Sequence, residues 1–456
     1  MPLNDGSGPQ AATEVVNEEA SRRRGRAGDA PPVAVDAQRR PTRYRWVICG
    51  MIFLATTINY IDRQVIGILA PTLTELFAWS ETDYASIISW FSFAYALGYL
   101  LMGRFSDRVG TKIGYSTAIV GWSVAAMAHA FVRTVPGFSI ARAALGFGEG
   151  GNFPTAIKAV GEWFPKRERA FATGIFNAGT NVGAVAAPLI VPWITLTWGW
   201  EWAFLSTGMV GFAWLIAWWI MYRAPEVHPR VSAAELAHIR SDPGESADPV
   251  PWLTLLTFRQ TWAYMFAKLM SDPVWWFYLY WLPKFLDSNY GVTLAGLALP
   301  LVVIYGVADI GSVGGGWLSG FFINRGWSVN KARKITMLLA ACLAVPTMLA
   351  PGANSMWMAV TFVCMAASAQ QWWAANLFTT VSDMFPKGAV ASVVGLGGFV
   401  GAMGAVFFQR ATGYILEVTN SNYSLIFLFA GCAYLVGLLG FHLLAPRLEP
   451  VRIDRT

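Results

Sequence analysis

Long apolar blocks, about twelve of them, constrain the fold of this chain more than any other feature. A helix that crosses a bilayer needs roughly 20 apolar residues, and nearly all of the blocks are that long. Only helices and closed barrels can span lipid, because lipid satisfies no backbone hydrogen bonds. The blocks lie near residues 45–70, 84–104, 113–132, 137–161, 170–194, 203–222, 261–285, 295–322, 334–351, 354–380, 389–413 and 424–445. They lack the alternating polarity of barrel strands, so the sequence predicts an all-α integral membrane protein with twelve transmembrane helices.

The composition agrees with lipid as the main solvent of the chain. Of the 456 residues, 55% are hydrophobic and 13% are charged. A soluble protein normally has about 25% charged residues, so this chain has too few to cover a surface in water. Its four cysteines lie singly within apolar blocks, without the spacing of disulfides or metal sites. We interpret them as small packing residues and expect neither a metal nor a cofactor.

The basic residues between the blocks lie in alternate loops. They are Arg104, Arg108, Lys112, Lys166, Arg167, Arg169, Lys331, Arg333 and Lys334. The intervening loops 72–83 and 195–202 contain neither Lys nor Arg. Cytoplasmic loops of membrane proteins are enriched in these residues, which predicts a multi-pass protein of a bacterial inner membrane with both termini cytoplasmic. The same pattern accounts for the net charge of +6, so we expect no nucleic-acid partner.

The blocks divide into two halves that repeat one another. The predicted division is a disordered cytoplasmic tail (1–40), an N-terminal six-helix bundle (41–222), a cytoplasmic linker (223–258), a C-terminal six-helix bundle (259–446) and a cytoplasmic tail (447–456). Pro165 and Pro386, with their neighbours and several following glycines, match at one constant offset. Two such halves with a substrate site between them are a known plan of membrane transporters.

A motif between the second and third blocks resembles that of a known family. Its pattern is Gly103-x-x-x-Asp107-Arg108-x-Gly110-x-Lys112. This is similar to the loop motif of the major facilitator superfamily, and the resemblance covers about residues 45–445. It implies two six-helix halves that work by alternating access, with Gly103, Asp107, Arg108 and Gly110 as a gating motif.

Further motifs resemble the anion:cation symporter branch of that superfamily. They are Asn59-Tyr60-Ile61-Asp62-Arg63, the stretch from Arg142 to Glu149 followed by Gly150, Phe153 and Pro154, and Trp163-Phe164-Pro165-x-x-Glu168-Arg169. Within the branch, Thr111 to Tyr115, Phe176-Asn177-x-Gly179 and Gln371 look most like the hexuronate transporters. This resemblance implies symport of a sugar acid with protons.

Ionisable residues inside the apolar blocks are candidates for function, since each costs at least ~2.5–3.5 kcal/mol at bilayer depth. They are Asp62, Arg63, Arg142, Glu149, Lys268, Asp272 and Asp309. We interpret Asp62 as a proton carrier, because burial favours the neutral form of a carboxyl group. A structural ion pair is the alternative. The resemblance to sugar-acid symporters makes Arg63 the expected contact of the substrate carboxylate.

Arg142 and Glu149 are two helical turns apart and share one helix face. We interpret Glu149 as the second protonatable carboxylate. Arg142 either holds Glu149 ionised or binds the substrate, and the alternative for both is a salt bridge that locks one conformation. Lys268 and Asp272 are expected to pair. Because they lie near the start of a helix, the Lys268 side chain could instead extend to the lipid headgroups. Substrate binding by the pair also stays open. For Asp309 we leave gating and packing open.

Polar and aromatic residues in the middle of the blocks predict a lined cavity. The candidate substrate-binding residues are Tyr60, Arg63, Tyr95, Arg142, Asn177, Thr180 and Gln371. For any single amide or hydroxyl, a simple interhelical hydrogen bond is the alternative. In the seventh block, Trp275, Trp276 and Tyr278 are candidates for stacking on a sugar ring, whereas Trp281 fits the aromatic belt at the membrane interface.

These features predict a proton-coupled symporter that imports a sugar acid, a hexuronate first and an aldonate second. Its expected partners are a small organic anion, protons and the lipid bilayer, and we expect a monomer. Another organic monoanion, such as an aromatic carboxylate, is the alternative substrate, and a non-transporting membrane sensor is the alternative function. An enzyme is disfavoured, because the sequence contains no metal-ligand spacing, nucleophile elbow or P-loop.

Overall fold

A computed structural model describes residues 42–241 and 250–451. Within those two ranges the chain is α-helical, with short 3₁₀ segments and no strand. The all-α prediction is confirmed. The predicted tail 1–40 and part of the predicted linker, residues 242–249, lie outside the described residues. So do residues 452–456 of the second predicted tail.

The first half contains eight helices in the described residues. They are α1 (Tyr44–Ile68), α2 (Ala70–Phe77), α3 (Glu81–Val109), α4 (Thr111–Ala128), α5 (Val135–Glu149), α6 (Asn152–Trp163), α7 (Lys166–Trp198) and α8 (Trp200–Met221). A 3₁₀ turn, His129–Phe131, follows α4. The fourth predicted block is divided between α5 and α6 at Gly150 and Gly151, where α3 comes so close that a Cβ on Gly150 would lie 2.6 Å from the Tyr95 carbonyl oxygen.

The second half follows after two short helices, α9 (Ala233–Ile239) and α10 (Trp252–Leu255). Its helices are α11 (Arg259–Tyr290), α12 (Ala298–Asn324), α13 (Val329–Ala344), α14 (Met356–Met384), α15 (Lys387–Val418) and α16 (Ser424–Leu444). The remaining 3₁₀ segments are Pro225–Val227, Leu294–Gly296 and Val345–Gly352. Every predicted block therefore corresponds to helical structure. Among the described residues, eight segments are long and apolar enough by composition to cross a membrane.

The repeated sequence produces the same local structure in both halves. Pro165 is the N-cap of α7 with φ −63° and ψ 152°, and Pro386 is the N-cap of α15 with φ −64° and ψ 153°. Proline fixes φ near this value and disfavours helix in the residue before it, so each Phe-Pro sequence ends one helix and begins the next. The sequence repeat is thus also a structural repeat.

Buried polar contacts attach α9 to the start of the first transmembrane helix. The carboxylate of Glu235 accepts hydrogen bonds from the Thr42 hydroxyl at 2.6 Å and from the backbone N–H groups of Tyr44 and Arg45 at 3.0 and 3.1 Å. Burial raises the pKa of Glu235, but these donors outweigh burial and hold it below its ordinary value. Helix α9 is therefore docked on the first half.

In the described residues the two halves meet along four pairs of helices: α1 with α11, α2 with α11, α3 with α15, and α7 with α12. They are joined at one end of the bundle, where the Lys284 ammonium of α11 pairs with the Glu81 carboxylate of α3 at 2.7 Å. One turn further along α3, the Tyr84 hydroxyl donates to the Tyr280 carbonyl at 2.7 Å. Towards the other end, the side chain of Asp107 is 72% exposed. The arrangement is closed at the end that contains Glu81 and Lys284.

Candidate substrate and proton-coupling site

An ion pair inside the first half forms the centre of the candidate site. The Arg63 Nε donates to the Glu149 Oε2 at 2.9 Å, and the two side chains are 4% and 0% exposed. Arg63 also donates to the Asn59 side-chain oxygen, one turn earlier on α1, at 3.3 Å. The second oxygen of Glu149 has no hydrogen-bond partner among the described residues. Among the described residues, the negative charge of Glu149 is therefore hydrogen-bonded only to Arg63.

Aromatic rings from both halves enclose the Arg63 guanidinium. Tyr60 and Tyr95 lie 4.7 and 4.6 Å from it, and Phe91 lies at 5.4 Å. Trp276 of α11 approaches to 5.4 Å from the second half. Such contacts stabilise a cation while leaving its N–H groups available. The predicted residues Tyr60, Arg63 and Tyr95 therefore lie together, at the junction between the halves.

Arg142 is the second cation of the site and is fully buried. It donates to the Tyr280 hydroxyl at 3.1 Å and to the Arg63 carbonyl at 3.4 Å. Its Nε and Nη1 have no partner among the described residues. Two roles are predicted for Arg142, and the first, holding Glu149 ionised, does not involve a direct bond, because Glu149 bonds to Arg63. Free donors on a buried guanidinium suit the other role, binding an anion.

Asp62 points away from Arg63, although the two are adjacent in the sequence. Its carboxylate is 1% exposed, and neither oxygen accepts a hydrogen bond of ordinary geometry from a described residue. The Thr207 hydroxyl of α8 interacts with this carboxylate and donates to the Ala203 carbonyl at 3.1 Å. An isolated ionised carboxylate is very costly to bury, whereas its protonated form is far less so. No cation pairs with Asp62 among the described residues, which removes the simplest form of the structural alternative.

The remaining polar candidates differ in how open they are. Asn177 is exposed on α7, and Thr180 donates to the Asn177 carbonyl at 2.7 Å and approaches the Asn181 side chain at 3.1 Å. Gln371 on α14 is half-buried. Its neighbour Gln370 instead accepts from the Tyr434 hydroxyl at 2.7 Å inside the second half. Asn177 and Gln371 are thus more accessible than Thr180 or Gln370.

In the gating motif, the glycines serve close approach and helix termination. Gly110 ends α3 with φ +84°, a conformation that favours glycine. A Cβ on Gly103 would lie 3.3 Å from the Pro154 side chain. The Asp107 carboxylate pairs with Lys158 of α6 at 3.1 Å, and Arg108 is exposed. The motif thus connects α3 with the end of the fourth predicted block.

One prediction for α11 is wrong, and one alternative that was left open there is excluded. Lys268 and Asp272 do pair, at 2.7 Å, but their side chains are 11% and 15% exposed, so Lys268 does not extend to the headgroups. Trp281 is fully buried and donates to the Gln409 side chain at 2.9 Å, so it is not part of an interfacial belt. Both residues face protein because α11 is covered by neighbouring helices on several sides. Asp309 of α12 is half-buried and forms no ion pair with another described residue.

The sequence motifs did not predict the contacts of Phe91 and Tyr280 or the Glu81–Lys284 pair. A signal for two of them was present. Lys268, Asp272, Trp276, Tyr280 and Lys284 recur every four residues on α11, and residues at that spacing lie on neighbouring parts of one helix face. Trp276 contacts Arg63, Tyr280 contacts Arg142 and Lys284 contacts Glu81, so these three residues are turned towards the first half.

The chain is similar in sequence to a known protein family and to several of its members. Residues 52–409 match the model of the Major Facilitator Superfamily. The chain is 31% identical to a hexuronate transporter of Escherichia coli over 82% of this chain and 88% of the relative. It is 30% identical to a galacturonate transporter of Dickeya chrysanthemi (71% and 95% covered) and 28% identical to a D-galactonate transporter of Escherichia coli (89% and 96% covered).

Solved structures share the fold at low sequence identity. A bacterial homolog of the human lysosomal transporter Spinster, inward-facing and occupied, superposes with a TM-score of 0.68 at 18% identity and covers 89% of this chain and 98% of its own. A D-xylose–proton symporter gives a TM-score of 0.69 at 16% identity, with 87% and 97% covered. These two similarities support the fold alone.

Proposed function

This chain belongs to the major facilitator superfamily, a family of membrane transporters and not of enzymes, and from that premise we propose that it is a proton-coupled symporter that imports a sugar acid. The match to the family model confirms the resemblance of the sequence to this superfamily. The proposed substrate is a hexuronate first and an aldonate second. Relatives named for hexuronate, galacturonate and D-galactonate, at about 30% identity, support a sugar acid.

The observation that carries the proposal is the buried pair of Arg63 and Glu149 at the junction of the halves. A buried cation needs one anionic partner, and removing that partner is costly. When Glu149 takes up a proton, Arg63 loses its partner and accepts the substrate carboxylate in its place. Proton binding and anion binding then favour one another, which is the thermodynamic requirement for symport.

Asp62 is the second proton carrier in this proposal. It is buried without a cationic partner among the described residues, so it alternates between a protonated form here and an ionised form when water reaches it. Arg142, with two free donor nitrogens, supports the bound carboxylate from the neighbouring helix. Trp276 and Tyr95 flank Arg63 and offer the apolar ring faces that a pyranose needs.

The transport cycle follows from the closed end of the bundle. The loops rich in Lys and Arg lie at the opposite end from Glu81 and Lys284. By the positive-inside rule that opposite end is cytoplasmic, as are both termini, and the protein is a monomer in a bacterial inner membrane. The present arrangement is then closed to the outside. Alternating access requires the Glu81–Lys284 contact to open and the gating motif at Asp107 to close against the second half.

Uptake into proteoliposomes tests the function. The purified protein is offered uronates, aldonates and aromatic carboxylates, with and without a pH gradient that is acidic outside. We expect accumulation of a uronate above equilibrium with the gradient and equilibration without it. Preferred accumulation of an aromatic acid would replace the substrate, and binding of a uronate without any transport would favour a sensor.

A further inference from the structure

A second ion pair lies on the other side of the junction and has no part in the mechanism above. Lys268 and Asp272 of α11 pair at 2.7 Å and are almost buried. The Lys268 ammonium also lies 4.9 Å from the Phe378 ring of α14. A buried ion pair contributes little net stability compared with apolar residues of the same size, because both charges lose their hydration. Packing alone therefore does not explain why charges stand here.

The neighbouring helix α15 leaves space for this pair. A Cβ at Gly401 would collide with the Asp272 carboxylate, and a Cβ at Gly397 would collide with the Tyr264 ring and lie 3.2 Å from the Lys268 Cγ. Glycine at both positions therefore lets the backbone of α15 pack directly against the pair. The pair is held between α11 and the glycine face of α15, with 11% and 15% of its side chains exposed.

Tyr60 of the first half lies 4.7 Å from the Arg63 guanidinium. Both Glu149 and Asp272 act electrostatically on its phenol group. On the second half, Tyr264 interacts in the same way with Asp272 and with Tyr99 of α3. Asp272 also precedes Trp276 by one turn of α11, and Trp276 lies 5.4 Å from the Arg63 guanidinium, so the pair of Lys268 and Asp272 lies one turn from the junction.

The chemistry of the two pairs differs in a way that matches the two ends of a sugar acid. Arg63 and Arg142 provide cations for a carboxylate. Lys268 with Asp272 is neutral as a pair, and it offers ammonium donors beside carboxylate acceptors. Neighbouring hydroxyl groups need both a donor and an acceptor. A second carboxylate would instead meet the negative charge of Asp272, and like charges at close range cost several kcal/mol.

We propose that Lys268 and Asp272 bind the neutral, hydroxyl-rich end of the sugar acid and that Asp272 excludes acids with a carboxylate at both ends. Repulsion of the wrong ligand is a recognised source of specificity. The inference rests on the proposed function, since it needs a sugar acid whose carboxylate is held at Arg63.

Binding of galacturonate and galactarate by calorimetry tests the inference on the purified full-length protein. Wild type binds galacturonate more tightly. In Asp272→Asn the Lys268 charge is no longer compensated, so galactarate should gain about tenfold in affinity while galacturonate loses about tenfold. Lys268→Gln keeps the repelling carboxylate and should lose galacturonate without gaining galactarate. Asp383→Asn is the matched control, because Asp383 also pairs with a cation, Arg333 at 3.0 Å, but near the end of α14.

The outcomes separate the two proposals. An unchanged preference in Asp272→Asn, with galacturonate still bound by wild type, overturns the inference and leaves the proposed function standing. A gain of galactarate in the Asp383→Asn control as well also overturns it, because the effect is then general. If wild type binds no sugar acid, both proposals fail. Thermal unfolding of each variant shows whether Asp272→Asn is folded. If it is not, the test rests on Lys268→Gln, and an unchanged galacturonate affinity in that variant overturns the inference.

Discussion

Asp62 and Arg63 illustrate how adjacent residues on one helix acquire separate roles. Successive helical residues point about 100° apart. Arg63 consequently reaches Glu149 and the aromatic rings at the junction, while Asp62 faces Thr207 inside the first half. In the proposed mechanism, Arg63 contacts the substrate and Asp62 holds a proton out of reach of the substrate.

Replacing Asp62 tests that separation. Asp62→Asn should abolish accumulation against a gradient while exchange of internal for external substrate continues, because the amide keeps the shape but cannot release a proton. Counterflow and gradient-driven uptake in proteoliposomes measure the two activities. Glu201→Gln is the control, since Glu201 pairs with Arg133 at the protein surface. Full gradient-driven uptake by Asp62→Asn would remove Asp62 from the mechanism.

The Arg63–Glu149 pair predicts how binding depends on pH. Protonation of Glu149 frees Arg63, so substrate affinity in wild type should rise as the pH falls. Glu149→Gln mimics the protonated form permanently, and its affinity should be high and nearly independent of pH. Tryptophan fluorescence titrations between acidic and alkaline pH measure this. A pH dependence that survives in Glu149→Gln would assign the titrating group elsewhere.

Replacing Arg63 tests the cation assignment directly. Arg63→Ala should lower substrate affinity by at least about a hundredfold, because the buried carboxylate loses its partner at a cost of roughly 3–5 kcal/mol. Arg142→Ala should weaken binding less. The same fluorescence titration compares the two. If Arg142→Ala abolishes binding and Arg63→Ala does not, the roles of the two cations are reversed.

At the scale of elements, α11 is the helix through which the second half contacts the first. Residues at every fourth position of α11 form the Lys268–Asp272 pair and then place Trp276 beside Arg63 and Tyr280 beside Arg142. This series ends at Lys284, which pairs with Glu81. Movement of this one helix would therefore alter the substrate site and the closed end together. In alternating access, α11 would thus connect the proposed substrate site at Arg63 with the closed end at Glu81 and Lys284.

We expect the Glu81–Lys284 pair to hold its end of the bundle closed. Glu81→Gln leaves the buried Lys284 ammonium unpaired, which costs about 3–5 kcal/mol and should shift the protein towards opening at this end. Distances between spin labels at the exposed positions Leu76 and Leu425, after replacement of the native cysteines, report the shift. The exchange Glu81→Lys with Lys284→Glu should restore closure. Unchanged distances in Glu81→Gln would show that the pair does not hold this end.

At the scale of the whole molecule, the proposed proton carriers set the charge moved in each cycle. A uronate has one negative charge, so two protons through Asp62 and Glu149 carry one net positive charge inward. That charge is worth ~2.3 kcal/mol per 100 mV, or about fortyfold accumulation at 1.4 kcal/mol per tenfold. A potassium–valinomycin potential, negative inside and without a pH gradient, should drive uptake. Glu149→Gln should lose this response, and voltage-independent uptake by wild type would mean that one proton is coupled.

The sequence by itself determined the features that depend on residues near one another in the chain. Apolar length set the helices, and every predicted block corresponds to helical structure. Phe164-Pro165 and Phe385-Pro386 set equivalent helix boundaries in the two halves. The ionisable residues inside the blocks were visible at once, because apolar surroundings leave charges conspicuous.

Only the tertiary structure decided which of those charges meet. Glu149 pairs with Arg63 on another helix and not with Arg142 on its own, and Lys284 pairs with Glu81 across the halves. The physical reason is that lipid and the protein interior are both apolar, so hydrophobicity does not reveal which face of a membrane helix is turned inward. Helix rotation is set by packing with distant segments, and those rotations bring Arg63, Glu149 and Trp276 to one place while turning Asp62 away.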